Sequence, residues 1–242
     1  MLRIRCRFSK KDDMVYISHL DLVKFFGRAM RRANVPIAYS QGFNPHPIMS
    51  FATALGIGVA SDAEYMDIQL DREIEVELFM KTVNATLPKG LCILACKYID
   101  KSEKSLMSIV ARSVYAIEIK LEKRMNKENI EKEIDEFLKQ DEIIYRKERK
   151  KKNKGKRYKK IIEVDIRQSI CNIEVLSLAE KKVIMKMILA AGSENNLKPE
   201  VVITKLNEMT GVSIVEDSVK VARLELLKKQ EKQYVSLMDV AT

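Results

Sequence analysis

The chain is poor in the residues that break, cross-link or anchor a fold. Its 242 residues include no tryptophan, two histidines, four cysteines, five prolines and eight glycines. So little glycine and proline excludes a collagen-like or low-complexity chain. No run approaches the roughly 18 apolar residues of a membrane span, so we expect no membrane partner.

The cysteines are too few and too scattered for a disulfide framework. They lie among apolar residues at Cys6, Cys92, Cys96 and Cys171. The start, M-L-R-I-R-C-R-F, alternates charged and apolar residues and does not have the pattern of a secretory signal. We therefore expect reduced thiols in a cytoplasmic protein.

Motifs that would indicate a cofactor or a metal are also missing. There is no glycine-rich phosphate loop, no dinucleotide fingerprint and no nucleophile elbow. His19 and His46 have no matching cysteine pair at a zinc spacing, and Cys92-x-x-x-Cys96 lacks a further cysteine for an iron–sulfur cluster. The sequence predicts no metal and no cofactor, and it offers no strong catalytic motif.

Positive charge is abundant and concentrated in one segment. The chain has 44 basic and 34 acidic residues, and residues 146–160 alone hold eleven basic residues and one acidic residue. Clustered Lys and Arg favour an anionic polymer, because each neutralised phosphate releases counterions. The alternative is a solvated hairpin tip that aids solubility. The candidate nucleic-acid contacts here are Arg149, Lys150, Lys151, Lys152, Lys154, Lys156 and Arg157.

Hydrophobic periodicity in the first hundred residues predicts alternating strands and helices. Apolar residues alternate with arginines over 2–8, and Ser18 with Asp21 forms a capping-box spacing that opens a helix to about Asn34. Strands are predicted at 36–39, 66–70 and 91–98, with a helix between Asp71 and Pro88. This order, β-α-β-β-α-β, is typical of a ferredoxin-like unit.

The second half shows the same theme less regularly. Strands are predicted at 115–121, 143–147, 162–167, 183–189 and 214–226, with helices at 130–138 and 199–211. We therefore predict an α+β protein of two tandem ferredoxin-like domains. The first covers 1–100, a linker covers 101–112, and the second covers 113–242 with its basic hairpin at 146–160.

Two further groups of cations are candidates for phosphate contact. Arg3, Arg5 and Arg7 alternate along the first strand and would share an open sheet face, unless acidic neighbours such as Asp67 pair with them. The first helix carries a second cationic group, which consists of Lys24, Arg28, Arg31 and Arg32.

Residues 16–65 concentrate both histidines, three of the five prolines and four of the eight glycines. A loop punctuated in this way is a candidate site. His19, in the first helical turn, is a candidate general base or a packed structural residue. His46, between Pro45 and Pro47, is held outward either to bind a polar ligand or as part of a rigid loop.

This segment also resembles a known family. Y-I-S-H-L-D-L, P-I-A-Y-S-Q-G-F-N-P-H-P and L-G-I-G-V-A-S-D-A-E-Y-M-D resemble the bacterial radical SAM-associated proteins, an uncharacterised family. The resemblance implies a radical SAM protein as partner, and this chain resembles the stand-alone form. The matching positions are Ser18, His19, Asp21, Arg28, Arg31, Arg32, Gln41, Gly42, Phe43, Asn44, Pro45 and Glu64.

Three functions follow from these observations. The first is an RNA-binding accessory protein that holds structured RNA for a radical SAM enzyme or for RNA-processing machinery. The second is a metal-independent endoribonuclease in which His19 deprotonates a ribose 2′-hydroxyl and Tyr16 or a nearby lysine stabilises the developing charge. The third is a protein-only adaptor that docks on a radical SAM partner through the Gly/Pro loop containing Phe43.

Overall fold

The structure is a computed structural model that describes residues 2–100, 102–153, 156–193 and 195–239, with residues 149–153 and 156–160 described by their backbone. The strands are β1 (Leu2–Lys10), β2 (Met49–Phe51), β3 (Ala60–Leu70), β4 (Leu91–Ile99), β5 (Val110–Lys120), β6 (Ile144–Asn153), β7 (Lys156–Asp165), β8 (Ile170–Ala179), β9 (Lys182–Ala190), β10 (Lys220–Gln230) and β11 (Gln233–Ser236). The helices are α1 (His19–Arg32), α2 (Val76–Asn84), α3 (Leu106–Ile109), α4 (Lys127–Leu138) and α5 (Pro199–Met209). The predicted α+β class is confirmed.

The chain divides into two compact units. Unit 1 comprises Met1–Tyr115, Ala191–Glu194 and Val221–Thr242, and unit 2 comprises Ala116–Ala190 and Asn195–Lys220. This differs from the predicted second domain of 113–242, because the C-terminal residues belong to unit 1. They do so because β10 pairs in parallel with β3.

Unit 1 is built on a mixed sheet. Strand β1 lies between β4 and β3 and is antiparallel to both, and β10 follows β3. β2 pairs antiparallel with the second half of β3, and β11 pairs antiparallel with β10. The order β1-α1-β2-β3-α2-β4 is the predicted β-α-β-β-α-β, but the strand predicted at 36–39 is wrong. Only Ile37 and Tyr39 form isolated bridges there, and the second strand is Met49–Phe51.

The core of unit 1 lies under α1 and α2. Ile4, Cys6 and Phe8 of β1 pack with Phe26 of α1 and Phe79 of α2, all without exposed surface. This is the face that the alternation in β1 predicted, since every second side chain of a strand points to the same side. The arginines of β1 therefore occupy the opposite face.

Unit 2 carries two antiparallel hairpins and two helices. β8 pairs with β9, and β6 with β7 in a separate two-stranded sheet. The tandem arrangement of two ferredoxin-like domains is not confirmed, since the elements of this unit run β5 end, α4, β6, β7, β8, β9, α5. β8 was not predicted, because register shifts between Ile170 and Asn172 and between Val175 and Ser177 interrupt its alternation.

None of the helices in the described part of the chain is both long enough and apolar enough to span a membrane.

Candidate nucleic-acid interface

The face of β1 that was expected to be open is covered. Arg5 is 1% exposed and forms a two-pronged ion pair with Asp67, with Nε–Oδ1 at 2.8 Å and Nη2–Oδ2 at 3.1 Å. Arg5 and Asp67 are directly opposite each other in the β1–β3 register. Nη1 of Arg5 also donates to the carbonyl of buried Leu237, 3.1 Å away. Arg5 is thus paired by Asp67, the alternative stated above, and is not presented to a phosphate.

The two flanking arginines of β1 also have acceptors within unit 1. Arg3 donates to the carbonyl oxygens of Asp100, at 2.9 Å, and Glu103, at 2.6 Å. Arg7 donates to the carbonyl of Asp62 at 3.1 Å and pairs with Glu225 at 3.2 Å. These partners hold both guanidinium groups close to the protein surface.

Glu64, one of the motif positions, lies in a second buried ion pair. Nη1 of Arg223 donates to both carboxylate oxygens of Glu64, at 2.8 and 3.1 Å, and Nη2 lies 3.3 Å from the hydroxyl of Tyr115. Burial alone would lower the pKa of Arg223, but the charge of Glu64 and the contact with Tyr115 raise it overall. Arg223 therefore stays charged, and its ion pair with Glu64 fastens β3 to β10.

A third buried polar group links the same strands. The hydroxyl of Tyr65 donates to Glu225 and lies 3.0 Å from Oγ of Ser236. Burial, together with the bond to Glu225, raises the pKa of Tyr65. Sequence reasoning missed Tyr65, Arg223 and Glu225. The signal that could have found the last two is the run V-A-R-L-E-L-L, in which charged residues interrupt an apolar strand.

The start of α1 has the predicted cap. The backbone N–H of Asp21 donates to Oγ of Ser18 at 3.2 Å, and that hydroxyl donates to the Asp21 carboxylate at 2.7 Å. His19 is half-buried, with its ring edge-on to Phe51 at a centroid distance of 5.3 Å. Tyr16 is exposed just before the helix. The catalytic roles of His19 and Tyr16 remain predictions.

The outer face of α1 is cationic. Lys24, Arg28 and Arg31 are exposed at helical spacings of four and three residues, which places them on one side of the helix. Arg32 differs, since its Nη2 donates to the carbonyl of Thr86 at 2.9 Å. In the described part of the chain, neither Lys24 nor Arg31 makes an ion pair.

The hairpin β6–β7 is fixed firmly at its base. The Asp165 carboxylate accepts from the backbone N–H groups of Arg167 and Ile143, each at 2.9 Å. These two donors hold the pKa of Asp165 below its usual value. Opposite charges also face each other here, since Arg146 and Glu163 are register partners joined at 2.9 Å.

Farther along the hairpin, the register brings like charges opposite each other. The paired positions are Arg149 with Lys160, Lys150 with Lys159, and Lys152 with Arg157. The basic segment, predicted as a connection between two short strands, thus forms most of β6 and half of β7. Lys154, one of the predicted contacts, lies outside the described residues. The side chains of the other predicted contacts, 149–152, 156 and 157, are outside them as well.

Within the described residues, no three His, Cys, Asp or Glu side chains are grouped so that they could hold a metal ion.

Comparison with known proteins places the chain in a family. No curated protein matches it. One similar solved structure is the Cbf5–Nop10–Gar1 complex, with 13% sequence identity and a TM-score of 0.52; the match covers 94% of this chain and 50% of that chain. Another is an H/ACA RNP bound to a substrate RNA containing 2′-deoxyuridine, with 13% identity and a TM-score of 0.51; the match covers 94% of this chain and 49% of that chain. At this identity the likeness concerns the fold, and the chain spans about half the length of these structural relatives. The model of the family described as "Uncharacterized protein conserved in bacteria (DUF2344)" matches residues 3–199, and the chain therefore belongs to that family.

Proposed function

We propose that the protein binds RNA and that the β6–β7 hairpin is the main contact. The observation that carries the proposal is the register of that hairpin. At three positions the backbone register pairs one basic residue with another, whereas the pair nearer the base, Arg146 with Glu163, is complementary. Like charges directly opposite each other destabilise a β-ladder, so an arrangement of this kind favours an external anion that neutralises them.

The exposed cations of α1 support the same proposal. Lys24, Arg28 and Arg31 span about two helical turns, roughly 10 Å at 1.5 Å per residue. A row of that length can reach more than one phosphate of a nucleic-acid chain. One structural relative is itself described as bound to a substrate RNA, which agrees with this proposal without carrying it.

The RNA binding would be accessory to another protein. We propose that the protein holds a structured RNA in the cytoplasm for a radical SAM enzyme or for RNA-processing machinery. The support for this partner is the sequence resemblance of residues 16–70, and the structure adds none.

The test removes four charges from the hairpin. A variant with Lys150, Lys152, Arg157 and Lys159 changed to Gln is compared with a control that loses four exposed lysines elsewhere, namely Lys89, Lys104, Lys123 and Lys232 changed to Gln. Binding of a fluorescein-labelled RNA stem–loop is measured by anisotropy between 50 and 300 mM salt.

We expect the hairpin variant to bind about tenfold or more weakly, with a slope of log K against log salt shallower by about three to four. The control should keep both values close to wild type. Equal losses in the two variants would show that only net charge matters, and the proposed interface would then be wrong. Intact RNA after long incubation would also count against the endoribonuclease prediction.

A further inference from the structure

The loop between β2 and the preceding bridge is clamped at its base. Ser40 N–H donates to the carbonyl of His46 at 2.9 Å, and His46 N–H donates to Oγ of Ser40 at 3.1 Å. Oγ of Ser40 and Nδ1 of His46 lie 2.9 Å apart, within hydrogen-bond distance. Tyr39 precedes Ser40 and Pro47 follows His46, and these two residues form an isolated β-bridge. Residues 41–45 therefore project as a closed turn from a fixed base.

An aromatic ring stands at the tip of this turn. Phe43 is fully exposed, whereas its neighbours along the chain are the polar or small residues Gln41, Gly42 and Asn44. Gly42 has φ = 118°, a left-handed conformation that a side chain would strain, so the turn is built to present the residue after it. An uncovered ring on a clamped turn is well placed to stack on a ligand, because little chain entropy is lost on binding.

The base of the turn rests on the cationic helix. At Gly27 of α1, an added Cβ would lie 3.5 Å from Cγ of Pro47, so the loop approaches the helix closely there. Lys24 and Arg28 flank Gly27 along the helix, and Arg31 follows one turn later. The exposed ring of Phe43 is thus carried by a loop that is seated beside exposed positive charge.

We infer that this turn captures unpaired nucleotides of the bound RNA, an inference that rests on the proposed function and narrows its ligand. Phe43 stacks on an exposed base, the amides of Gln41 and Asn44 contact base edges, and Lys24, Arg28 and Arg31 contact the phosphates. Charge complementarity selects a nucleic acid over an apolar peptide. A duplex does not fit, because its bases are already stacked and offer no free face.

The experiment compares two RNA probes on matched variants. Anisotropy titrations use a fluorescein-labelled 12-nucleotide single strand and a 20-base-pair duplex. The variants are Phe43→Ala, Phe43→Tyr, and the control Leu78→Ala, which truncates an exposed apolar residue on α2. Circular dichroism verifies that each variant is folded.

We expect Phe43→Ala to bind the single strand about tenfold more weakly, since stacking contributes roughly 1–3 kcal/mol per base. Duplex binding should change less than about twofold, while Phe43→Tyr keeps its ring and stays near wild type. Leu78→Ala should match wild type with both probes.

Other outcomes separate this inference from the proposed function. If wild type binds RNA but Phe43→Ala binds the single strand equally well, only the inference is wrong. If Phe43→Ala instead loses binding to a protein partner with RNA affinity unchanged, the turn is a protein contact and the inference is again wrong. If wild type binds neither probe, the proposed function itself falls.

Discussion

At the scale of single residues, two arginines of this basic protein serve the fold and not a ligand. Arg5 and Arg223 are each buried against one carboxylate, from Asp67 and Glu64. A buried ion pair adds little net stability over apolar packing, but the loss of one partner leaves a charge that water cannot reach. Replacing either partner of these pairs should therefore lower the stability of the fold.

Asp67→Asn should destabilise the protein strongly. The change keeps the size of the side chain but leaves Arg5 buried without a counter-charge, which costs about 3–5 kcal/mol in comparable sites. The measurement is the free energy of unfolding in urea. The control is Asp62→Asn, which breaks the half-exposed ion pair with Lys11 and should cost less than about 1 kcal/mol. Similar costs for the two variants would contradict this account of Arg5.

At the scale of elements, local patterns predicted α1 and the strands with regular alternation. Ser18 and Asp21 identified the start of α1, and the alternation of 2–8 identified β1 together with its core face. These features depend on neighbours within a few residues. The short strand β2 and the bulged strand β8 have no such local signature.

The cap of α1 gives an element-scale prediction. Ser18→Ala removes the side-chain acceptor of the Asp21 N–H and should lower the free energy of unfolding by about 1 kcal/mol. Lys198 stands at the same position of α5 but makes no capping hydrogen bond from its side chain, so Lys198→Ala should be nearly neutral. Urea unfolding of both variants decides the question, and a neutral Ser18→Ala would refute the capping role.

The candidate site was predictable only in part. The sequence showed residues 41–46 as a cluster of glycine, proline and polar residues. The hydrogen bonds between Ser40 and His46 and the close approach of Pro47 to Gly27 depend on the folded structure and were not predicted. The pairing of Arg5 with Asp67 was one of the two stated alternatives, but the cover over Arg5 was not predicted, for the same reason. Its cover, which includes Leu237, comes from residues 232 positions away in sequence, and periodicity carries no information over that separation.

At the scale of the whole molecule, unit 1 is closed by residues from both ends of the chain. β10 and β11 return to it, and they bring Arg223 to Glu64 and Leu237 to Arg5. The predicted domain of residues 1–100 therefore leaves out residues 221–242, which are grouped with unit 1.

Removing residues 221–242 should abolish the cooperative unfolding of unit 1, because it removes β10, the strand paired with β3, together with the core residues Leu226 and Leu237. The control replaces residues 148–161 of the separate hairpin sheet with Asn-Gly, a turn that joins antiparallel strands, and should leave unit 1 intact. Calorimetry and far-ultraviolet circular dichroism report both results. A C-terminally shortened chain that still melts in a single sharp transition would overturn this view of unit 1.

Because of the register of β6 and β7, added salt should have opposite effects on the rigidity of this hairpin and on its affinity for RNA. The screening length of the solution shortens from about 10 Å at 0.1 M salt to about 3 Å at 1 M. Added salt therefore weakens the repulsion between the lysines and arginines that the register pairs. The unliganded hairpin should then exchange its amide hydrogens more slowly as salt rises, while its hold on RNA loosens. A polyanion and a simple salt would thus both slow the amide exchange of this hairpin, although salt weakens the binding of the polyanion.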